Sequence, residues 1–322
     1  QCPNQNCQRG MNIVNYVKET FGAKAMEKEY TGQERMKPII AFFGTNVNLW
    51  VESDNEYPIL AAFRSASSNH KKSIKKATKK LDCDQRGWRA MKNVLLTVSG
   101  KMGLSPIIYD LFDLKSSVTP ILDVDISWHT KINQAIWRGK LSGSYSGTTF
   151  EEKCKSNQRC RLVDKSSTSA LIDAGVTQQR NNFFINENAG LDIATKSPMT
   201  IEEQLKYKVI IVMEGDGFAS SLAWALYSNS VVIMPKPKKT SFLMEEKLEP
   251  WVHYIEIRDD LSNLEKQVRW VFRHDDKAKK IAERGSLWIH DLFMSREGVN
   301  DNESVKKDTM GRYLDFFVDE NV

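Results

Sequence analysis

The chain has 322 residues, of which 41% are hydrophobic and 27% are charged. This composition is ordinary for a soluble globular protein, and the length suits two domains that each bury a core. The net charge of +5 is mild, and the isoelectric point of about 8.8 lies below the range typical of nucleic-acid-binding domains. The composition therefore argues against a nucleic-acid partner.

No apolar run in the sequence approaches the ~20 residues that a membrane-spanning helix needs. We expect contact with a membrane only through a segment that is absent from this chain. Because the sequence starts at Gln1 rather than at a methionine, the lack of a signal or anchor says nothing about the form of the protein in the cell.

The first half of the chain holds few clear elements. Two apolar runs, at residues 38–43 and 93–98, predict buried strands. Residues 71–80 carry three lysine pairs at four-residue spacing. We interpret this run as a solvated helix face rather than as a contact with phosphate or lipid headgroups.

The second half alternates short apolar runs with helical patterns, which predicts a mainly parallel sheet covered by helices on both faces. A capping-box spacing at Ser262–Glu265 predicts the start of an amphipathic helix. A second helix, around Asp276–Ala282, is expected to end at Gly285. The predicted strands lie near Ile132–Trp137, Leu162–Asp164, Val209–Met213, Val231–Met234 and His253–Ile257.

The most informative stretch of the sequence is Lys206–Met234. A β-branched run ends in the turn Glu214–Gly217, an apolar helical pattern follows, and a second apolar strand stops at Pro235. This order predicts a βαβ unit. Its turn presents backbone N–H groups and a helix N-terminus, which suits a phosphate, although a glycine here can also serve chain reversal alone.

The five cysteines are Cys2, Cys7, Cys83, Cys154 and Cys160. They are too few for a disulfide scaffold, and their odd number leaves at least one unpaired or paired outside the chain. No Cys-x-x-Cys pair is present and no histidine lies near either close pair, which argues against zinc. We expect disulfides, with Cys154–Cys160 and Cys2–Cys7 as the candidate pairs in an oxidising compartment.

Several segments of the second half, in this order, resemble one family, glycosyltransferase family 90. The resemblance covers roughly residues 105–295 and is much weaker before them. The segment from Pro250 to Tyr254, followed by Asp260–Leu264, is especially hard to explain by chance. The matching segments are Trp128–Ile132, Ala135–Gly139, Ser142–Gly143, Asn157–Val163, Lys206–Ser221, Ser228–Val232, Met244–Tyr254, Asp260–Leu264 and Ile281–Gly285.

The resemblance implies a GT-B-like α/β fold, in which two Rossmann-like domains face each other across a cleft. We expect an acceptor-side domain at residues 1–130 and a nucleotide-sugar-binding domain at 131–300. Residues 301–322 would form a tail that packs back on the N-terminal domain. Members of the O-glucosyltransferase type use UDP-glucose or UDP-xylose, need no metal and invert the anomeric centre.

The resemblance also implies which residues bind the donor. Arg138 and Gly139, with Ser142 just beyond, match the Arg-Gly motif at the nucleotide-sugar site. Arg159 matches the second arginine of the family and is expected to grip the diphosphate through its planar fork. A surface ion pair is the alternative for either arginine.

The glycine turn is expected to provide further donor contacts. Gly215, Gly217, Ser220 and Ser221 would supply N–H and hydroxyl donors. The O-glucosyltransferase branch carries an arginine where Ser221 stands, and the turn looks closer to the lipopolysaccharide-modifying branch. The sugar and the acceptor class therefore do not carry over from the resemblance.

Three further candidates lie in or near the Pro-Trp-Val-His-Tyr segment. Glu245 is a candidate to hold ribose or sugar hydroxyls, with a solvated helix carboxylate as the alternative. Trp251 is expected to be a core aromatic rather than a sugar platform. His253 is expected to be structural and hydrogen-bonded beside a strand.

Inversion by single displacement requires a base that takes the proton of the acceptor hydroxyl. The O-glucosyltransferase type has an aspartate four residues before a proline that follows tyrosine, and Asp54 reproduces that spacing before Tyr57–Pro58. Asp54 is therefore the predicted base, Glu56 is the second candidate, and a polar turn before a proline is the alternative.

A competing motif is the Asp-x-Asp at Asp123–Asp125, which in other glycosyltransferases holds a divalent cation on the diphosphate. Asp82–Asp84 has the same form, so chance occurrence is high. We expect neither a metal nor another cofactor.

The sequence thus predicts a transferase that moves glucose or xylose from a UDP-sugar to a hydroxyl of a glycan or glycoprotein acceptor, with inversion. The alternative is an inactive relative that binds nucleotide-sugars or glycans. The expected location is the lumen of the endoplasmic reticulum or Golgi in a eukaryote, and otherwise the cytoplasmic face of the membrane.

Overall fold

A computed structural model of the chain describes residues 60–61, 63–65, 107–108, 114–178, 195–215 and 217–315. The predicted strands at 38–43 and 93–98, the lysine run at 71–80 and Cys2, Cys7 and Cys83 lie outside these residues. None of the described helices is both long enough and apolar enough to cross a membrane.

The strands, in chain order, are β1 (Leu60–Ala61), β2 (Phe63–Ser65), β3 (Ile107–Ile108), β4 (Ile132–Lys140), β5 (Ile172–Gln178), β6 (Tyr207–Ile211), β7 (Val231–Pro235), β8 (Lys239–Ser241) and β9 (Ile255–Ile257). The α-helices are α1 (Leu114–Val118), α2 (Ile121–Val124), α3 (Phe150–Ser156), α4 (Gln158–Thr168), α5 (Ile201–Leu205), α6 (Leu222–Leu226), α7 (Leu264–Arg273), α8 (Asp275–Ile289) and α9 (Arg296–Asp315). Single turns of other helix types lie at Trp128–Thr130, Glu245–Lys247 and His290–Met294.

The chain divides into two compact units. The first comprises residues 1–113, 239–242 and 296–322. Its described strands form two small pairs, β1 with β3 in parallel and β2 with β8 in antiparallel orientation, and it also contains α9. The second unit, residues 114–238 and 243–295, holds all of the remaining elements. The predicted boundaries near residues 130 and 300 stay predictions.

The second unit is built on a five-stranded sheet with the order β5-β4-β6-β7-β9, in which all neighbouring pairs are parallel. The chain adds β5 on one side of β4 and then returns to add β6 on the other side. The connections that leave β4 and β6 therefore diverge, and a crevice opens between the carboxyl ends of these two strands. In open α/β sheets such a crevice is where ligands bind.

The strands of this sheet are buried on both faces. On one face Trp137, Val209 and Ile233 join a core with residues of α4, α7 and α8. The alternate residues Ile136 and Ile210 point to the other face and are equally buried. Apolar side chains on both faces explain why β6 and β7 read as continuous β-branched runs in the sequence. The unit is therefore a mixed α/β structure with a parallel sheet, as predicted, whereas the two-domain GT-B arrangement stays a prediction.

One strand prediction is wrong, and one strand was not predicted. Leu162–Asp164 lies inside helix α4, which Asn157 caps by accepting a hydrogen bond from the N–H of Cys160. Strand β5 was not predicted, because Asp173 and Gly175 interrupt its apolar pattern. Asp173 serves an ion pair there, and a Cβ on Gly175 would lie 2.6 Å from the side chain of Lys196.

The two predicted C-terminal helices exist, but their predicted ends are wrong. Helix α7 lacks the capping box, because its N-cap position is Asn263 rather than Ser262, and Oδ1 of Asn263 accepts from the N–H of Arg258 instead of capping the helix. Helix α8 continues through Gly285 to Ile289. A Cβ on Gly285 would lie 2.8 Å from the carbonyl oxygen of His253 and 3.0 Å from Leu226, so this glycine permits close packing and does not end the helix.

We expect Gly285→Ala to lower the free energy of unfolding by about 1–3 kcal/mol, because the added methyl group meets a main-chain oxygen that cannot move independently. Chemical denaturation of this variant beside the exposed control Glu283→Ala measures the effect. Equal stability of the two variants would contradict this account of Gly285.

Candidate functional site

Two loops meet at the crevice between β4 and β6. The loop after β4 contains Ser142 and Gly143, and the loop after β6 contains Glu214 and Gly215. Gly143 has a left-handed backbone with φ of 99°, and a Cβ there would lie 3.6 Å from the backbone of Gly215. The two loops therefore pack backbone against backbone at the position where the sheet topology predicts a ligand.

Gly215 is required for this close approach. A Cβ at this position would lie 2.9 Å from Nη2 of Arg159 and would also clash with the hydroxyl of Ser142. The structure thus brings together three of the predicted site residues, namely Ser142, Arg159 and Gly215.

The guanidinium of Arg159 joins the carboxyl ends of the two strands. Its Nη1 donates to the carbonyl of Lys140 and to the hydroxyl of Ser142, both at 2.8 Å. Its Nη2 donates to the carbonyl of Met213 at 2.8 Å, and its Nε donates to the carbonyl of Glu214 at 3.2 Å. All three nitrogens are thus engaged with the protein, and the predicted grip on a diphosphate stays a prediction.

The start of α4 holds Arg159 in place. The amide of Asn157 donates to the carbonyl of Ser142 at 3.1 Å, while its oxygen caps the helix. A disulfide between Cys154 and Cys160, predicted from the sequence, ties α3 to α4 on either side of Asn157. These contacts fix the first turn of α4 against the loop that follows β4.

Gly139, near the end of β4, also helps to position the side chain of Arg159. A Cβ on this residue would lie 2.7 Å from the indole ring of Trp137. The missing side chain lets the indole lie against the backbone, where the guanidinium of Arg159 packs 5.8 Å from the ring centroid. Gly139 therefore supports Arg159 through Trp137.

Arg138 points away from this group. It forms a two-pronged ion pair with Asp173 on β5, with N–O distances of 3.0 and 2.8 Å, and donates to the carbonyl of Asp173 as well. Lys196 also pairs with Asp173. The structure does not bring Arg138 together with Ser142, Arg159 and Gly215, and its predicted role at the donor site stays a prediction.

The ion pairs determine the charge of Asp173. Burial alone would raise the pKa of this carboxyl group, but the hydrogen bonds and charges of Arg138 and Lys196 outweigh burial and hold the pKa below its ordinary value. The carboxylate is therefore ionised throughout the neutral range.

A shallow cavity, whose roughly 370 Å³ of empty space includes open solvent, lies beside the crevice at the carboxyl ends of β6, β7 and β9. Glu245 lines it, as do Glu214 and residues of the loops that follow β7 and β9. Glu245 is only 2% exposed, so the alternative of a solvated carboxylate is wrong. A buried carboxylate beside an open cavity is suited to accept hydrogen bonds from hydroxyl groups.

The remaining residues of the glycine turn differ in exposure. Gly217 is buried, Ser221 is half-buried and Ser220 is exposed. Helix α6 follows them as predicted but has only five residues, and Ser221 makes no capping hydrogen bond through its side chain. Since a helix dipole sums over aligned peptide units, a helix of this length contributes little to anion binding. The expectation that a helix N-terminus helps to bind phosphate is therefore weakened, while the roles of Gly217, Ser220 and Ser221 stay predictions.

The Asp-x-Asp motif lies at the opposite end of the sheet. Asp125 pairs with the buried amine of Lys131 and accepts from the N–H of Asn229. Lys131 directly precedes β4 and Asn229 lies two residues before β7, so the motif sits at the amino edge, away from the crevice.

Two aromatic predictions can be compared with the structure. Trp251 is 41% exposed, packs edge-on against Trp270 and has a left-handed backbone with φ of 66°, so the prediction of a core aromatic is wrong. His253 lies just before β9, where its Nδ1 accepts from the N–H of Glu249, which agrees with the expected structural role.

The predicted base Asp54 and the second candidate Glu56 lie outside the described residues.

Several polar residues around the cavity were not predicted from the sequence, namely Gln158, Lys236, Lys238 and Asp259. A signal was available for the lysines, since the segment Pro235–Lys238 directly follows a predicted strand. In a parallel sheet, residues that follow a strand lie at the carboxyl edge.

Comparison with known proteins identifies the family. The profile described as glycosyl transferase family 90 matches residues 116–301, more than half of the chain. This chain belongs to glycosyl transferase family 90.

Relatives in the family come from distant organisms. The chain is 27% identical to O-glucosyltransferase LpsA of Dichelobacter nodosus, over 51% of this chain and 45% of that protein. It is 30% identical to Protein O-glucosyltransferase 2 of Danio rerio, over 62% of this chain and 35% of that protein. It is 32% identical to the uncharacterized protein 027R of Frog virus 3, over 52% of this chain and 19% of that protein. The matches thus span less than half the length of these relatives.

We expect Asp173→Asn to lower the free energy of unfolding at neutral pH, because Arg138 and Lys196 lose their ionised partner. The native pKa of Asp173 lies below its unfolded value of about 3.9. The stabilisation is therefore complete above pH 4 and disappears as the pH falls through the native pKa. Urea titrations from pH 7 to pH 2.5, with Glu202→Gln as a surface control, test this. A difference from wild type that does not shrink towards low pH would contradict the assignment.

Proposed function

We propose that this family 90 chain transfers a sugar from a UDP-sugar to a hydroxyl group of a glycan or glycoprotein acceptor. The observation that carries the proposal is the meeting of Ser142–Gly143, Glu214–Gly215 and Arg159 at the crevice between β4 and β6. Main-chain N–H groups of closely packed loops at such a crevice suit a diphosphate. A buried carboxylate, Glu245, lines the cavity beside it and suits ribose or sugar hydroxyls.

Glucose is the first candidate for the transferred sugar, because two of the relatives are named O-glucosyltransferases. Xylose is the second. We propose inversion by direct displacement, in which Asp54 takes the proton of the acceptor hydroxyl as its oxygen attacks the anomeric carbon. The bond to the diphosphate breaks at the same time, and the charge that develops on the leaving group is met by donors at the crevice.

We also propose that the reaction needs no divalent cation and takes place in an oxidising compartment. The disulfide between Cys154 and Cys160 supports the second point, because such bonds persist in secretory and extracytoplasmic spaces. Its position beside Asn157 and Arg159 connects the oxidised state directly to the geometry of the crevice.

A thermal-shift panel of nucleotide-sugars with EDTA present tests the donor and the need for metal together. We expect one UDP-sugar to raise the melting temperature selectively, since binding to the native state stabilises it by mass action. Transfer to a glycan or protein acceptor, with NMR of the new anomeric centre, tests the chemistry. Selective binding without turnover of any UDP-sugar would instead favour an inactive binding protein.

We expect Asp54→Asn to lower kcat by about 10²–10⁴-fold, the usual contribution of a general base. The affinity for the donor should remain unchanged, because the base acts on the acceptor. Steady-state kinetics and UDP titrations measure the two quantities, with Glu56→Gln as the matched control. If Glu56→Gln loses activity and Asp54→Asn keeps it, the base is misassigned.

We expect Arg159→Ala to weaken UDP binding by about 1.5–3 kcal/mol, because the hydrogen bonds of its guanidinium to the ends of β4 and β6 hold the crevice in shape. The two loops lose the guanidinium that joins them, so the melting temperature should fall as well. Calorimetric titration measures the affinity, and Lys165→Ala on the same helix is the control. An unchanged UDP affinity would remove Arg159 from the account of the site.

A further inference from the structure

A diphosphate brings at least two negative charges, so its site needs positive charges. Both arginines predicted for this task are engaged elsewhere. Arg138 forms its ion pair with Asp173 on the face of the sheet, and Arg159 donates through all three nitrogens to the protein. The neutral acceptors of Arg159 leave its charge in place but occupy its donors, so the cationic donors that contact the diphosphate are expected from other residues.

Lys236 and Lys238 are the two cationic residues among those that line the cavity. They alternate with Pro235 and Pro237, whose rings fix two backbone angles of the segment that leaves β7. Lys236 is exposed, and no hydrogen bond or ion pair engages it among the residues that the structure describes. A rigid backbone thus carries an available amine at the mouth of the cavity.

Three carboxylates line the same cavity. Glu214 accepts from the main-chain N–H of Lys238 at 2.8 Å. Asp259 pairs with the amine of Lys238 at 2.8 Å and accepts from the amide of Gln158 at 3.1 Å. Glu245 is buried.

The ion pair between Lys238 and Asp259 is weak. Its side chains are 59% and 57% exposed, and solvent-exposed pairs contribute little to stability. Lys238 can therefore exchange Asp259 for a more highly charged partner at small cost. Until it does so, Asp259 competes with an incoming anion for the same amine.

We propose that Lys236 and Lys238 bind the diphosphate of the donor, Lys236 directly and Lys238 after it releases Asp259. This inference rests on the proposed function, because it assumes that the cavity and crevice receive a nucleoside diphosphate sugar. In this proposal Arg159 maintains the shape of the crevice, and the two lysines supply the positive charge that contacts the diphosphate. Asp259 then limits the affinity for UDP, so substitutions of Lys236 and of Asp259 should change that affinity in opposite directions.

The test is calorimetric titration of UDP and of uridine into wild type and variants. We expect Lys236→Gln to weaken UDP binding about tenfold, as for loss of a charge-assisted hydrogen bond. Asp259→Asn keeps the acceptor for Gln158 but removes the competing charge, and should strengthen UDP binding about two- to fivefold. Uridine binding should not change in either variant. Lys206→Gln, at the amino edge of the sheet, is the matched control.

Wild-type UDP affinity in Lys236→Gln would overturn the role of Lys236, and weaker binding in Asp259→Asn would overturn the exchange. Equal losses for UDP and uridine in Lys236→Gln would also contradict the proposal, because they indicate a contact outside the diphosphate. Inorganic pyrophosphate separates this inference from the proposed function. If pyrophosphate binds and depends on Lys236 while no UDP-sugar binds, the lysine site stands and the proposed donor falls. If wild type binds neither, both are overturned.

Discussion

The candidate site depends on one interaction, the set of hydrogen bonds by which Arg159 joins the carboxyl ends of β4 and β6. These strands are neighbours, but their connections diverge, so their last residues would otherwise leave main-chain carbonyls exposed in an open crevice. A guanidinium has a planar fork of five N–H donors, which suits several carbonyls at once. Gly215, Gly139 and the first turn of α4 all serve to admit or hold this side chain.

A parallel sheet has two chemically different edges, and the segments that match the family divide between them. At the amino edge, Asp275 accepts from Trp128 and Lys208, and Lys131 pairs with Asp125. Burial lowers the pKa of Lys131, against the opposite influence of Asp125. These contacts tie strand starts to helices and serve the fold. The carboxyl edge instead has glycine loops, a cavity and exposed lysines, so binding is expected there.

Much of the parallel sheet could be predicted from the sequence. Strands β6 and β7 are continuous β-branched runs, and their burial on both faces produces that pattern. Strand β5 could not be predicted in this way, because Asp173 pairs with, and Gly175 packs against, side chains that are distant in sequence. Short apolar runs such as Leu162–Asp164 fit a strand or a helix equally well, and only the cap at Asn157 decides between them.

The candidate site was predictable only in part. Motif matching selected Ser142, Arg159 and Gly215, which the structure brings together, but it could not reveal that the guanidinium binds main-chain carbonyls. The orientation of Arg138 is set by its ion pair with Asp173, and no local sequence pattern connects these two residues. Lys236 and Lys238 belong to no recognised motif. Their proposed role depends on their position directly after the carboxyl end of β7.

A crystal structure of the protein with UDP tests the central claim most directly. The account predicts that the diphosphate lies between the loops that follow β4 and β6, beside Gly215, with the amine of Lys236 within hydrogen-bonding distance. Arg159 should keep its hydrogen bonds to both strand ends. A crevice that remains empty at saturating UDP, or a diphosphate held at the amino edge of the sheet, would contradict the account.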